Sequence, residues 1–210
     1  MNFEKEKLEL QRRVIQYATD IQDGTIKSGK KVKWMVERFF KDLKKVEKRE
    51  YPYYIDWNEL LKFNRWAGMF KHSKGIIAGE HIQLTDYQLF LAANIFCFKQ
   101  KETGFRRFRE AYIQVGRKNA KSQFLAIVVS YVAFLSDEQE EIYISSWTRD
   151  QSNLVYNETL NQIRAVDMLR TKYSDSYNMI TVKKKMGLSS KRYQEKQEKQ
   201  VMEQTPALQC

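Results

Sequence analysis

The sequence predicts an α/β fold in which a helical N-terminal region precedes a unit with parallel strands. Up to about residue 75, apolar residues recur every three or four positions, which is typical of amphipathic helices. Further on, a short β-rich run at 109–115 leads through a polar loop into an apolar helix at 121–135, and a second β-rich run follows at 141–146. Strand, loop, helix and strand in this order indicate a βαβ unit with a right-handed crossover.

Three amphipathic helices account for the N-terminal region, residues 1–75. Their apolar positions place them at 3–22, 32–43 and 57–70. The third helix carries three large aromatic residues, Trp57, Trp66 and Phe70. These rings could stack on nucleic-acid bases, but their helical spacing favours a hydrophobic core.

A fourth helix is predicted to begin near residue 86 and to run through Phe96. Thr85 or Asp86 is expected to cap its first turn, because hydroxyl and carboxylate oxygens accept hydrogen bonds from the free amides there. Gly104 breaks the chain after this helix. Beyond the β-rich run at 141–146, a last helix is predicted from about residue 148 to 163.

The composition favours a soluble protein with an anionic partner. The 210 residues include 37 Lys and Arg against 26 Asp and Glu, a net charge of +11. This excess favours nucleic acid or a nucleotide as partner, although lysines that solvate surface helices explain it equally well. Two cysteines, Cys97 and Cys210, cannot form a disulfide framework or a four-ligand zinc site. With no membrane-length apolar run and no signal-peptide core, we expect a cytoplasmic protein.

A candidate phosphate-binding loop lies between the first β-rich run and the apolar helix. Such a loop needs backbone N–H groups at a helix start, a lysine for the β- and γ-phosphates and a hydroxyl for Mg²⁺. Lys121 and Ser122 supply the last two. The strict pattern is G-x-x-x-x-G-K-[ST], whereas Val115 and Ala120 stand at its glycine positions, with Gly116 beside the first. The pattern alone leaves open a chance Lys-Ser pair at a helix start.

Four segments together carry a resemblance to a known family. Residues 105–122 read F-R-R-F-R-E-A-Y-I-Q-V-G-R-K-N-A-K-S. The others are H-S-K-G at 72–75 followed by Ala78-Gly79, L-T-D-Y-Q at 84–88, and W-T-R-D-Q-S at 147–152. Taken in chain order, from 72–79 through 84–88 and 105–122 to 147–152, they resemble the large terminase subunit of tailed bacteriophages, in which R-R-F-R-E-A-Y precedes the Walker A loop R-K-N-G-K-[ST]. Two flanking segments are similar to its L-x-x-W-Q, with Tyr87 in place of Trp, and to its T-K-R-D-Q-A. The resemblance covers about residues 17–182.

The resemblance implies a P-loop NTPase core of the RecA-like (ASCE) type, with a parallel sheet, that uses ATP and Mg²⁺. Lys121 would contact the β- and γ-phosphates, and Ser122 would bind Mg²⁺. The phosphate nest would be lined by the N–H groups from Arg117 to Ser122. The loop residues concerned are Gly116, Arg117, Lys118, Asn119 and Ala120.

The resemblance also assigns two side chains outside the lysine-serine pair. Gln88 matches the glutamine that reads adenine in related motors, and Arg117 matches an arginine that stabilises charge on the transferred phosphate, which makes it catalytic together with Lys121. Considered without the family, a solvated helix position explains Gln88 and a loop-surface charge explains Arg117. Arg149 and Gln151 would support the site, but an exposed helix start accounts for them equally well.

Two departures from the family pattern change what is expected of this chain. Ala120 puts a methyl group where backbone must approach phosphate closely, so we expect weakened nucleotide binding. No apolar strand ending in Asp-Glu, the Walker B element, follows residue 146, and we expect no nuclease domain in these 210 residues. We therefore expect an incomplete core that does not hydrolyse ATP alone. Its regions are a helical part at 1–75, a partial ATPase domain at 76–182 and a frameshifted or disordered tail at 183–210.

The sequence thus predicts the N-terminal ATPase fragment of a DNA-packaging motor from a phage or prophage, in the cytoplasm of a bacterial host. The resemblance implies double-stranded DNA, a portal and a small terminase subunit as partners, and a ring-shaped homo-oligomer. One alternative is a non-enzymatic, basic nucleic-acid-binding protein with a degenerate P-loop. A small-molecule P-loop kinase is a weaker alternative, because no segment typical of a substrate lid is evident.

Overall fold

The structure is a computed structural model that describes residues 3–73, 75–136, 141–177 and 179–183. The chain divides into two compact units, the first ending at Lys121 and the second beginning at Ser122. The α-helices of the described residues are α1 (Phe3–Gln22), α2 (Lys30–Val46), α3 (Trp57–Gly68), α4 (Asp86–Ala92), α5 (Lys121–Leu135) and α6 (Arg149–Arg164). The strands are β1 (Tyr53–Ile55), β2 (Phe98–Gln100), β3 (Tyr173–Ser176) and β4 (Met179–Val182). Short π- and 3₁₀-helical turns span Ala93–Cys97 and Asp167–Leu169.

Helices surround an apolar core in the first unit. α1 packs on α2, α3 and α4 with one apolar face. The buried residues of that face are Leu10, Val14, Ala18 and Ile21. The Phe39 ring of α2 meets those of Phe90 and Phe98 edge-on, with centroids 5.2 and 6.0 Å apart. These contacts join α2 to α4 and to β2, so the element that follows residue 84 belongs to this core.

A short antiparallel pair, β1 and β2, closes one side of this core. Ile55 lies opposite Phe98, and Tyr53 lies opposite Gln100. Cys97, the residue before β2, is fully buried, and this burial raises the pKa of its thiol. Its carbonyl oxygen accepts a hydrogen bond from the Asp56 amide at 2.8 Å. The pair therefore ties the start of α3 to the end of the π-helical turn.

The helices predicted from apolar periodicity are confirmed, with differences only at their ends. The second spans Lys30–Val46, and the fourth gives way to a π-helical turn at Ala93. Trp66 and Phe70 are 5% and 0% exposed, so the core interpretation of these aromatic residues is confirmed, while Trp57 is half-buried. Among the described residues, no helix combines the length and the apolar character that crossing a lipid bilayer requires.

The two strands predicted at 109–115 and 141–146 are wrong for this structure. Neither segment is a strand, and both sheets of the described residues are antiparallel pairs. A strand gains its backbone hydrogen bonds only from a neighbouring strand, and neither segment has one within the described residues. Their side chains are correspondingly open to solvent: Tyr112 and Tyr143 are each 84% exposed. The parallel sheet implied by the family resemblance stays a prediction.

The predicted domain boundaries do not follow the division into compact units. α4 and the π-helical turn, which lie beyond residue 75, pack on α1 and α3, and the first unit continues to Lys121. The regions 1–75 and 76–182 therefore stay predictions about sequence organisation. The tail predicted at 183–210 lies outside the described residues except for Lys183.

The second unit contains α5 from Ser122, α6 and a hairpin of β3 and β4. In the hairpin, Tyr173 lies opposite Val182. The Phe134 ring of α5 meets that of Tyr173 with centroids 6.5 Å apart, and Arg164 of α6 forms an ion pair with Asp175 of β3 at 2.7 Å. The hairpin is therefore joined to both helices of this unit.

A buried ion pair fixes the segment that leads to the candidate loop. The Asp42 carboxylate on α2 is 3% exposed and lies 2.7 Å from Nη1 of Arg107. The Tyr51 hydroxyl donates a hydrogen bond to Asp42 at 2.8 Å and accepts one from Arg107 at 2.6 Å. The guanidinium also lies 4.8 Å from the ring centroids of Tyr53 and Phe108. The Arg107 cation thus offsets the free-energy cost of burying the negatively charged Asp42 carboxylate.

Arg107→Met should lower the free energy of unfolding by about 2 kcal/mol, because it removes the hydrogen-bonded cation of the buried Asp42 carboxylate and leaves only Arg38, whose Nε lies 3.9 Å from it. Urea denaturation followed by circular dichroism measures the change. Arg12→Met is the matched control, since it removes an ion pair with Glu9 in which both side chains are exposed. Equal losses in the two variants would contradict the stabilising role of the buried pair.

Burial and the hydrogen bond to Asp42 raise the pKa of Tyr51 from its ordinary value of 10.0 to about 12. A phenol that ionises less readily in the folded protein stabilises it below pH 10.0, and this contribution is lost as the pH rises through about 12. The free energies of unfolding of the wild-type chain and of Tyr51→Phe should therefore converge over this range. Urea titrations between about pH 8 and pH 12 measure the difference, and a constant difference would refute the expectation.

Candidate functional site

The candidate loop, residues 116–120, has a backbone of alternating handedness. Lys118 and Ala120 have φ values of 67° and 49°, in the left-handed region, whereas Arg117 and Asn119 do not. Alternation of this kind turns successive N–H groups toward one side and creates a concave, anion-binding nest. α5 begins directly after the loop, at Lys121. These φ values are compatible with a phosphate nest, and phosphate binding by this loop stays a prediction.

The candidate loop and the start of α5 offer hydrogen-bond donors that protein acceptors do not use. Within the described residues, no backbone N–H from 116 to 120 donates to a carbonyl oxygen. The first N–H groups of a helix lack intrahelical acceptors, and the helix dipole adds partial positive charge there. Three exposed cationic side chains add to this field: Arg117, Lys118 and Lys121. A polyphosphate would meet both donors and positive charge at this position.

Asn119 closes the candidate loop with its side chain. Its Nδ2 donates to the carbonyl oxygens of Gly116 and Arg117, both at 3.3 Å. A Cβ atom on residue 116 would lie 3.3 Å from the same Nδ2, which is tighter than most such contacts. The glycine at position 116 therefore lets the amide approach, and the side chain of Asn119 has a structural role that the sequence pattern did not indicate.

Lys121 and Ser122 occupy the first turn of α5, as predicted. Lys121 is exposed and Ser122 is half-buried. A lysine followed by a hydroxyl residue in the first turn of a helix is the combination that a Mg²⁺-bound triphosphate needs, and these roles of the two residues stay a prediction. No cluster of three His, Cys, Asp or Glu side chains that could hold a metal ion occurs among the described residues. A serine hydroxyl with phosphate oxygens and water is, however, a suitable oxygen ligand set for Mg²⁺.

Gln88 is buried rather than a solvated helix residue. It is 6% exposed, and its Oε1 accepts hydrogen bonds from the backbone N–H of Thr85 at 3.0 Å and from the Thr85 hydroxyl at 3.1 Å. These bonds belong to a capping box between Thr85 and Gln88, so of the two predicted caps, Thr85 and Asp86, the structure has Thr85 as the residue before the helix. The structure thus removes the solvated alternative, while adenine recognition by Gln88 stays a prediction.

Arg13 of α1 holds the start of α4 in place. Its guanidinium donates to Asp86 Oδ1 at 2.7 Å and to the Leu84 carbonyl oxygen at 3.0 Å. Both bonds join residues more than 70 positions apart in sequence. No local pattern signals such a pairing, so sequence reasoning missed Arg13.

Tyr87 connects α4 to the candidate loop. Its hydroxyl donates a hydrogen bond to the Asn119 carbonyl oxygen at 2.9 Å. Burial raises the pKa of Tyr87, and a hydrogen bond from the Gln88 side chain partly offsets that rise. The structure therefore brings the segment with Gln88 next to the loop, although the two are separate in sequence.

Arg149 and Gln151 lie at the start of α6, in the second unit. The Thr148 side chain caps this helix by accepting a hydrogen bond from the Gln151 N–H at 3.4 Å. The Gln151 side chain in turn accepts a hydrogen bond from the Ser146 hydroxyl at 2.8 Å, and both Arg149 and Gln151 are exposed. These contacts are those of an exposed helix start. A role of the two residues in the nucleotide site stays a prediction.

Comparison with known proteins identifies the family. Residues 86–192, half of the chain, match the family described as the ATPase domain of the terminase large subunit. The chain belongs to this family. The match begins at the first residue of α4 and includes Gln88, the candidate loop and α5. No curated protein and no solved structure matches the chain.

Membership of the terminase family confirms the resemblance inferred from the four sequence segments. A terminase ATPase domain implies a P-loop NTPase-like fold and the use of a nucleotide with Mg²⁺. The alternating backbone of the candidate loop, its free amides and the lysine-serine pair are compatible with that ligand. The individual roles of Lys121, Ser122, Arg117 and Gln88 stay predictions.

Ala120→Gly should raise the affinity for ATP by about fivefold, because glycine removes the methyl group at the position where phosphate oxygens would approach the backbone. The left-handed φ of Ala120 is already present without ligand, so its relief should appear in the free energy of unfolding rather than in the affinity. An equilibrium titration with a fluorescent ATP analogue measures the affinity. Ala111→Gly is the matched control, because Ala111 is exposed and its φ is not positive. Unchanged affinity in Ala120→Gly would refute the weakening attributed to this alanine.

Proposed function

We infer that residues 116–122 form the Walker A phosphate site of a DNA-packaging ATPase and bind ATP with Mg²⁺. The observation that carries this inference is the alternating backbone of the candidate loop, with its unpaired amides, immediately before a helix that begins with Lys121 and Ser122. The family match includes the whole of this segment. Family and local geometry thus support the same ligand independently.

In this proposal each part of the segment has a separate task. The N–H groups from Arg117 to Ser122 donate to the phosphate oxygens, and the Lys121 ammonium balances charge on the β- and γ-phosphates. The Ser122 hydroxyl is the protein ligand of Mg²⁺, which supplies Lewis-acid polarisation of the phosphate oxygens when it is bound. Arg117, which is exposed on the loop, stabilises the charge that develops on the transferred phosphate.

Adenine recognition is proposed for Gln88. Its Oε1 already accepts two hydrogen bonds from Thr85, and its amide group donates one to Tyr87. The second N–H of the amide is therefore the group left to donate to a ring nitrogen of adenine. The fixed orientation of the side chain lowers the conformational entropy lost on binding. Exchange of Gln88 therefore affects the preference for adenine over guanine more than the binding of phosphate.

For the assembled protein we propose ATP-driven packaging of double-stranded DNA in a bacterial host cell. The partners are those of the family: DNA, a portal and a small terminase subunit, with the motor subunits in a ring. The net charge of +11 supports a polyanionic partner. The same charge supports a second candidate function, a basic nucleic-acid-binding protein whose degenerate loop binds no nucleotide.

Lys121→Ala should reduce the affinity for Mg²⁺-ATP by at least about tenfold, because a hydrogen bond from a charged group contributes about 1.5–3 kcal/mol. Lys62→Ala, which removes an exposed lysine from α3 of the same unit, is the matched control and should bind as the wild type does. Titration with a fluorescent ATP analogue gives the affinities, and phosphate release assays give any turnover.

The same two variants separate the candidate functions. Nucleotide binding or ATP hydrolysis that Lys121→Ala abolishes and Lys62→Ala retains supports the packaging ATPase. DNA binding that Lys121→Ala leaves unchanged, in a chain that binds no nucleotide, supports the basic nucleic-acid-binding protein. Phosphoryl transfer to a small acceptor would instead indicate the kinase that the sequence leaves as a weaker alternative.

A further inference from the structure

We propose that Tyr87 is a positioning residue of the nucleotide site: its hydroxyl, through the Asn119 carbonyl oxygen, sets the direction of the Ala120 N–H that receives phosphate. The proposal deepens the proposed function and rests on it. The observation that carries it is the hydrogen bond of 2.9 Å from the Tyr87 hydroxyl to the Asn119 oxygen.

The geometry of the peptide group makes this hydrogen bond directional. The Asn119 oxygen and the Ala120 N–H belong to one planar peptide group, and no cis peptide bond occurs among the described residues. In a trans peptide the C=O and N–H bonds point in opposite directions. When the oxygen is held toward Tyr87, the N–H is therefore held away from Tyr87. That N–H lies within the nest of donors in front of α5.

This peptide group needs an external support. It joins Asn119 to Ala120, a non-glycine residue with a left-handed φ of 49°, and Lys118, one residue before Asn119, also has a left-handed φ, of 67°. Backbone in such a conformation persists only where surrounding contacts determine it. The internal contacts of the candidate loop, from Asn119 Nδ2 to Gly116 and Arg117, are both 3.3 Å long. The shorter bond from Tyr87 is the contact that reaches this peptide from outside the loop.

Tyr87 can act as a support because its own position is fixed. It lies in the first turn of α4, between Asp86, which Arg13 binds, and Gln88, which caps the helix through Thr85. The tyrosine ring adds only two rotatable bonds between this helix and its hydroxyl. Through this hydrogen bond, the core of the first unit holds the loop peptide in one orientation.

The hydrogen bond from Tyr87 to Asn119 links α4, which carries the proposed adenine reader, to the proposed phosphate loop. Tyr87 contacts the phosphate loop, and the next residue, Gln88, is the proposed adenine reader. A rotation of α4 would therefore move both the base-reading amide and the loop peptide. The function of Tyr87 proposed here is nevertheless confined to the phosphates, because its hydroxyl is engaged by the loop.

Tyr87→Phe tests the proposal, since it removes the hydroxyl and keeps the ring. We expect the affinities for Mg²⁺-ATP and for Mg²⁺-tripolyphosphate, which has no base, to fall by the same factor of about five. The matched control is Tyr112→Phe, whose hydroxyl contacts only Gln114, at 3.4 Å, within the described residues. Fluorescence competition titrations give all the affinities, and urea denaturation verifies that both variants fold.

Each outcome has a distinct meaning. Equal losses for both ligands in folded Tyr87→Phe, with none in Tyr112→Phe, support the proposal. Unchanged affinities in Tyr87→Phe overturn it, because the hydroxyl would then have no effect on phosphate binding. A loss for ATP alone also overturns it, because the hydroxyl would then act on the nucleoside rather than on the phosphates. Failure of the wild-type chain to bind either ligand, or binding that Lys121→Ala leaves unaltered, refutes the proposed function itself and with it this inference.

Discussion

The buried Asp42 carboxylate is the constraint on which the first unit depends most directly. A carboxylate that is 3% exposed requires a cation nearby, and Arg107 meets that requirement at 2.7 Å. This pair holds the chain at Arg107 against α2, nine residues before Gly116. The Tyr51 hydroxyl, bound to both charged groups, limits the geometries that the pair can adopt.

The candidate loop itself illustrates how a strained backbone is tolerated. Its two left-handed residues are not glycine, so the conformation costs free energy that other contacts must offset. The side chain of Asn119 supports the loop from within, and the hydroxyl of Tyr87 supports it from α4. These two hydrogen bonds stabilise the left-handed conformations of the loop and link one of its peptide groups to the helical core of the first unit.

The sequence was informative where structure is determined locally. Apolar periodicity predicted the helices, and the residues before α4 predicted its Thr85 cap, because both depend on neighbours within one or two turns. The pairs Arg13–Asp86 and Arg107–Asp42 were not predictable, since nothing in the sequence indicates which distant charges meet. The strands at 109–115 and 141–146 were wrong for a related reason. A β-rich composition permits a strand, but only a partner strand supplies its hydrogen bonds.

For the candidate site, the sequence located the residues at the start of α5 but not the contacts that surround the loop. Lys121 and Ser122 were located by their position before an apolar helix and by the family resemblance, and α5 begins where that reasoning placed it. The contacts of Tyr87 and Gln88 became visible only in three dimensions. A sequence pattern does not specify either contact. The Tyr87 hydroxyl donates a hydrogen bond to the Asn119 carbonyl oxygen, and the Gln88 amide oxygen accepts one from Thr85, which caps the same helix.

Cys97 gives the first unit an internal reporter of its own opening. Only a thiolate reacts readily with alkylating reagents, and this sulfur is both enclosed by the core and hindered from ionising. Modification therefore has to wait for a fluctuation that exposes the junction between the π-helical turn and β2. Once Cys210 is replaced, the rate of labelling at Cys97 measures how often that junction separates, without any introduced probe.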